Sequence, residues 1–290
     1  MAQTIDNINW YPGHMKKTRE LIRENLKMVD AVVEVTDARI PVSSRNPLID
    51  EILGNKPRII ALNKSDLADA GSCKGWTDWF GKQGFEAVSM NANSGSGIRD
   101  LLRILEKMER EKNANSAMKR PFRLMIVGVP NVGKSSLINR MTGRKSAKTG
   151  DKPGVTKGKQ WIKLSNGMQL LDTPGILWPK FEDPKAGVNL AFCGSIKDEI
   201  MDLTTLGMEL IGVLGERYPE LLIERYKLEE IGQTPLETME AMAVKRGCIL
   251  PGKRIDYERI GRLVLDEFRA GKIGRITLEQ PPEEADGEQR

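Results

Sequence analysis

Leu21, Ile22, Asn25, Leu26 and Val29 recur at three- and four-residue intervals, which predicts an amphipathic helix over His14–Met28. Short β-branched or apolar runs follow at Ala31–Val35, Arg58–Leu62, Glu86–Ser89 and Phe122–Val127, the texture of strands buried in a parallel sheet. Helical periodicity fills the gaps, over Trp76–Gln83 and Ile98–Glu111. Strand and helix in alternation predict an α/β fold, a mostly parallel sheet with helices on both faces. Lys159–Leu164 and Met168–Leu171 flank Asn166-Gly167, a strong hairpin signal, and predict an antiparallel pair at one edge of the sheet. The polar stretch Asn113–Arg120 links the first group of elements to the second. Past Pro179 strand signals give way to helical patterns such as Leu236–Val244 and Tyr257–Phe268. The predicted organisation is a first domain over 1–179, a smaller all-helical domain over 180–278, and a disordered acidic tail over 279–290.

Composition narrows the class. The chain has 290 residues, 39% apolar and 29% charged, which is globular and long enough for two domains. No apolar run reaches the roughly 18 residues of a membrane span, and the amino terminus reads as neither a secretory signal nor an Arg-rich presequence. Cys73, Cys193 and Cys248 are odd in number with no C-x-x-C pair, against a disulfide framework or a zinc finger. A reducing cytoplasm is the expected home. The net charge of +5 hides two basic clusters. Residues 140–163 carry eight basic side chains (Arg140, Arg144, Lys145, Lys148, Lys152, Lys157, Lys159, Lys163) against Asp151 alone, and 242–275 carry nine against four acidic. Such clusters fit a polyanionic partner or, equally, a solvated basic surface.

The chemistry sits in four short motifs. Gly128-Val-Pro-Asn-Val-Gly133-Lys134-Ser135 has the G-x-x-x-x-G-K-[ST] spacing, follows a predicted strand and opens a predicted helix, Ser135–Met141. Its inward N–H groups can cradle phosphates, Lys134 can reach the β/γ-phosphates, and the Ser135 hydroxyl can bind Mg²⁺. Asp172-Thr-Pro-Gly175 follows the strand Met168–Leu171. Asp172 can hold Mg²⁺ through water, and the Gly175 N–H can meet the γ-phosphate. Between them, Thr156 of Pro153-Gly-Val-Thr156 can offer a hydroxyl to the metal as a switch residue.

Asn63-Lys64-Ser-Asp66 follows the strand Arg58–Leu62. The Asp66 carboxylate can accept from both donors on the edge of guanine, which adenine cannot match; charge-assisted bonds of this kind contribute about 1.5–3 kcal/mol. Asn63 would brace the loop and Lys64 would lie along the base. Ser89-Met90-Asn91 stands where a further base-contacting loop belongs, with Ser89 and Asn91 as its expected contacts. The order is unusual: in the common guanine-nucleotide fold the phosphate loop comes first and N-K-x-D last, whereas here Asp66 precedes Gly128. Strands can be reconnected in this way when the original termini lie close together, and Asp172–Gly175 then runs straight into the helical domain.

With these motifs the chain resembles the circularly permuted P-loop GTPases, and closely the ribosome biogenesis GTPase A family. The resembling segments span nearly the whole chain: Trp10–Met15, Asp37-Ala-Arg-Ile-Pro41 with Ser44–Pro47, Asn63–Asp66, Gly128–Ser136, Lys148–Thr156, Leu171–Asp183 and Lys245–Cys248. Tyr11 stands where that family usually has Phe. The resemblance implies a bacterial cytoplasmic GTPase that binds GTP and GDP with Mg²⁺ and matures the precursor of the large ribosomal subunit. It also implies a helical domain that binds ribosomal RNA; no membrane or DNA partner is expected. In the phosphate loop, Asn131, Val132, Gly133, Lys134, Ser135 and Ser136 are the expected nucleotide contacts, with Thr156 and Gly175 from the switches. Asn131 is similar to the asparagine that coordinates K⁺ in potassium-activated GTPases. Many GTPases place a Gln after D-x-x-G to orient the attacking water, but here Ile176 and Leu177 occupy that place. His14, the only histidine of the chain, matches the family's proposed catalytic residue; its residue-level alternative is a helix-start side chain satisfied by backbone. Two other functions stay open on the sequence, a non-hydrolysing GTP-sensing RNA chaperone and a GTPase acting in RNA modification.

Overall fold

A computed structural model describes residues 20, 22–114, 120–143, 161–171 and 183–282. Six strands form one sheet: β1 (Ala31–Asp37), β2 (Arg58–Asn63), β3 (Glu86–Ser89), β4 (Arg123–Val127), β5 (Trp161–Lys163) and β6 (Gln169–Leu171). Their order is β3-β2-β1-β4-β6-β5, parallel throughout except for β5. All seven residues of β1 are buried, as a strand covered on both faces requires. The edge pair is the expected hairpin, β5 and β6, closed at Asn166-Gly167 with Gly167 at φ 89° and its N–H on the Leu164 carbonyl.

Helices α1 (Pro47–Leu53), α2 (Ala70–Lys82), α3 (Ile98–Ala114) and α4 (Lys134–Thr142) connect the strands. One face of the sheet packs Val32, Met125, Val127 and Leu171 against Ile49 and Leu53 of α1 and against Ile22 and Leu26, which belong to a helical stretch over 22–26, where the opening helix was expected. The same face packs Ile60 and Leu62 against Cys73, Trp76 and Phe80 of α2. Helix α2 starts six residues before its periodicity suggests, because the Asp69 carboxylate caps the Ser72 N–H at 2.7 Å. The chain then turns back across the sheet from β3 to β4, and right-handed crossovers in the reverse direction put α3 and α4 on the opposite face. There Leu101, Leu105, Leu137 and Ile138 are buried.

The reversal falls between the adjacent strands β1 and β4, whose carboxyl ends are the place where open α/β sheets hold ligands.

Residues 183–276 form a second compact unit. Its helices are α5 (Pro184–Phe192), α6 (Leu203–Arg217), α7 (Pro219–Tyr226), α8 (Pro235–Arg246) and α9 (Tyr257–Arg269), with a 3₁₀ turn at Asp198–Ile200. Helices α6 and α9 touch backbone to backbone: a Cβ at Gly207 would lie 2.5 Å from the Gly261 Cα. Two expectations need correction. The unit is not all-helical, because Ile249–Leu250 (β7) and Arg254–Ile255 (β8) pair as a short antiparallel hairpin; two-residue strands are too short to leave a period-two signal. Nor does a disordered tail begin at 279. Residues 277–282 belong to the first unit, and Glu279 accepts N–H bonds from Val42 and Ser43 at 2.6 and 3.0 Å. Residues 283–290 lie outside the described part. Among the described residues no helix is long and apolar enough to cross a membrane.

Candidate functional site

Strand β4 delivers the chain into Gly128, and α4 takes it up again at Lys134. Between them the backbone turns through positive φ three times, at Gly128 (150°), Asn131 (61°) and Gly133 (100°). Such reversals curl successive N–H groups inward into an anion-binding concavity. A side chain is impossible at both ends. A Cβ on Gly128 would lie 2.4 Å from the Val35 carbonyl oxygen, and one on Gly133 would lie 2.1 Å from the Asn63 amide nitrogen. The Lys134 ammonium is buried and donates to the Val129 carbonyl at 2.6 Å, so its charge sits inside the loop. Ser135 and Ser136 are half-buried in the first turn of α4, whose N-terminus adds a favourable dipole for phosphate.

The loops after β2 and β3 stand beside this cradle. Asn63 joins all three: its amide donates to the Val132 carbonyl at 2.7 Å and accepts the Ala92 N–H at 2.9 Å. The bracing role expected of Asn63 is therefore visible in detail. Lys64 has a left-handed backbone, φ 61°, and its ammonium lies 2.9 Å from the Asp37 carboxylate at the end of β1. Asp37 is buried and is gripped by the Arg39 guanidinium at 2.9 and 2.8 Å. Burial alone would raise the pKa of Asp37, but the charges of Arg39 and Lys64 override it and hold the carboxyl far below the usual range. Asp66 is exposed on the same loop, open to a ligand edge. Ser89 ends β3 half-buried, while the Asn91 side chain accepts the Asn93 and Ser94 N–H groups and so shapes its own turn.

A family model described as a 50S ribosome-binding GTPase matches residues 123–235. The chain is 47% identical over 280 residues to ribosome biogenesis GTPase A of Bacillus cereus, covering 95% of each chain. It is 33% identical to mouse mitochondrial ribosome-associated GTPase 1, covering 96% of this chain and 92% of that one. The crystal structure of GNP-bound YlqF from T. maritima superposes with a TM-score of 0.66 at 32% identity, over 92% of this chain and 99% of that one.

The chain belongs to the ribosome biogenesis GTPase A family.

It is therefore a GTPase with a P-loop fold, and its N-K-x-D segment, Asn63–Asp66, precedes its G-x-x-x-x-G-K-S loop, Gly128–Ser135, in the chain, the permuted order. Of the expected site residues, Asn63 and Ser89 end β2 and β3, Lys64, Asp66, Asn91 and 131–133 lie on the loops that follow β2, β3 and β4, and 134–136 form the first turn of α4. His14, Thr156, Asp172 and Gly175 lie outside the described residues. Three side chains that hold the site together escaped the sequence reading. Asp37 and Arg39 were visible only as part of a family motif, although a buried Asp-x-Arg at a strand end is itself a signal of an internal ion pair. Arg140, counted above in the basic cluster over 140–163, donates to the Ala92 carbonyl at 3.2 Å and to that of Asn93, holding the loop after β3 against α4.

Proposed function

We propose that the protein is a cytoplasmic GTP-hydrolysing assembly factor for the large ribosomal subunit, acting while bound to ribosomal RNA of the precursor particle. The observation that carries the reading is the Asn63 amide. It ties a phosphate loop to both base-side loops, within a chain whose relatives are named for ribosome biogenesis.

The site residues take the roles their chemistry fits. Asp66 accepts from the guanine edge, Lys64 flanks the base, Ser89 and Asn91 border it, and 131–136 surround the phosphates. The half-buried Ser135 hydroxyl is a hard oxygen at the mouth of the loop and suits Mg²⁺; Thr156 and Asp172 would complete its ligands, and Gly175 would meet the γ-phosphate. Mg²⁺ neutralises phosphate charge as it develops. Asn131 is assigned to K⁺ by resemblance. Its left-handed φ of 61° is a second reason for asparagine there, since Asn tolerates that region better than most residues.

The RNA-facing surface is the β7–β8 hairpin with the end of α8. Lys245, Lys253 and Arg254 are exposed there beside exposed Val244, Ile249 and Leu250. Not every cation of the cluster is available. Arg246 packs over the Tyr226 ring at 5.0 Å and pairs with Glu267, and Arg269 pairs with Asp198 at 2.7 Å.

Single-turnover GTP hydrolysis with and without large-subunit particles tests the function. Particles should accelerate turnover, and His14→Ala should lose that stimulation by about 100-fold while binding GTP normally, as expected on removing a positioned polar group. Equal rates with and without particles would sink the assembly-factor reading, and stimulation within about twofold of the parent in the variant would remove His14.

A further inference from the structure

We propose that the segment Thr277–Pro281 braces the guanine-recognition loop, with Thr277 and Glu279 as positioning residues for Asp66. The proposal rests on the reading of Asp66 as the guanine acceptor. Asp66 sits in the middle of the short connection between β2 and α2 and is itself exposed. Within that connection the Ser65 N–H donates to the Met90 carbonyl at 3.1 Å and the Leu67 N–H to the Lys64 carbonyl at 2.9 Å, and further anchors act at its two ends.

The front end is held through Lys64, which pairs with Asp37. The Asp37 backbone N–H in turn donates to the Ser44 hydroxyl oxygen at 2.9 Å, and Ser44 belongs to the turn that follows β1. The C-terminal segment closes that turn from outside. The Glu279 carboxylate accepts the Val42 and Ser43 N–H groups and the Ser43 hydroxyl, and the Leu278 N–H donates to the Arg39 carbonyl at 2.8 Å. The rear end is held directly. The Thr277 hydroxyl oxygen accepts the Asp69 N–H at 3.0 Å, three residues beyond Asp66. The Glu279 carbonyl accepts the buried Trp76 indole N–H at 3.0 Å, and Pro281 packs where a Cβ on Gly75 would lie 3.2 Å from its ring.

This five-residue segment thus staples the turn after β1, which reaches the Asp66 loop through Asp37 and Lys64, to the start of α2, which follows that loop. Thr277 and Leu278 are fully buried in doing so, which marks a built contact and not a passing tail. A loop ordered in advance loses less conformational freedom when it binds, so affinity and base discrimination rise together. Discrimination is the sensitive readout, because two hydrogen bonds from one carboxylate to guanine demand closer alignment than the single bond left to inosine, which lacks the exocyclic amine.

Titration calorimetry on the full-length protein with GDP and inosine diphosphate tests this. Glu279→Ala and Thr277→Val should each weaken GDP by about tenfold and inosine diphosphate by about twofold, the scale of a misaligned charged bond. Thr277→Ser keeps the hydroxyl and should restore the parental ratio. Thermal unfolding read in parallel separates the brace from simple closure of the fold: a lowered midpoint with an unchanged GDP-to-inosine ratio in both variants overturns the proposal. Asp66→Asn is the companion measurement. If it loses guanine preference while the two strap variants keep it, the brace alone falls. If it retains guanine preference, the reading of Asp66 falls and the brace falls with it.

Discussion

The phosphate loop takes its shape from residues within it, with Gly128, Asn131 and Gly133 supplying three positive-φ turns inside six residues. The base side takes its shape from partners far along the chain. Asn63 bonds residues 69 and 29 positions away, Lys64 leans on Asp37, and Asp69 is held by Thr277 at a separation of 208. A cradle for phosphates needs only N–H groups turned inward, which local backbone conformation can deliver. Recognition of a base edge needs a carboxylate held at one angle and distance, and an exposed loop residue gets that only from anchors elsewhere in the fold. The two sides should therefore fail differently when altered.

The largest effect is expected at their seam. Gly133→Ala drives a Cβ into the Asn63 amide and bends a backbone that favours glycine, so it should weaken GTP and GDP by about 100-fold or more in calorimetry. A change below about tenfold would mean that the loops are less tightly coupled than the 2.1 Å approach implies. Asp66→Asn comes next. It swaps an acceptor for a donor facing the guanine donors, costing about 1.5–3 kcal/mol of GTP affinity, while xanthosine triphosphate gains. Unchanged GTP affinity would break the base-side half of the comparison.

Asn63→Ala sharpens it further. Losing both amide bonds loosens the phosphate and base loops together, so GDP and xanthosine diphosphate should weaken by the same factor, about tenfold, unlike the opposite shifts of Asp66→Asn. Asp37→Asn reads out in stability. It removes the charge that Asp37 sets against the buried Arg39 guanidinium, a loss of about 3–5 kcal/mol visible as a lower denaturation midpoint. The smallest effect concerns pH. A carboxyl whose folded pKa is depressed contributes stability above its unfolded pKa, about 3.9, and loses it only as pH falls through the folded value. The Asp37 clamp on Lys64 therefore stays charged from pH 5 upward, and the stability lost in Asp37→Asn should differ by less than about twofold between pH 5 and 8. A steep decline in that window would show that the clamp titrates.

The helical unit repeats the lesson on a different scale. Charge counting marked 242–275 as a basic face, yet Arg246 and Arg269 spend their charge inside the unit on Glu267 and Asp198. Reversing Lys245, Lys253 and Arg254 is the sharper way to weaken particle binding, because it leaves the unit's own ion pairs intact.

The sequence by itself determined what depends on near neighbours. Alternating strand and helix patterns fixed the α/β class, Asn166-Gly167 fixed the edge hairpin, and the spacing of Gly128, Gly133 and Lys134 fixed the phosphate loop; each is set by backbone preferences within a few residues. Tertiary structure alone decided what depends on distant contacts. It made Asp37 and Arg39 a buried support for Lys64, turned Arg140 from a free cation into a loop anchor, and seated Thr277 and Glu279 on the first unit. No local pattern records those pairings, because a hydrogen bond between residues 208 apart in the chain is specified by the packing of the elements that carry them, and by nothing in the residues that adjoin either end.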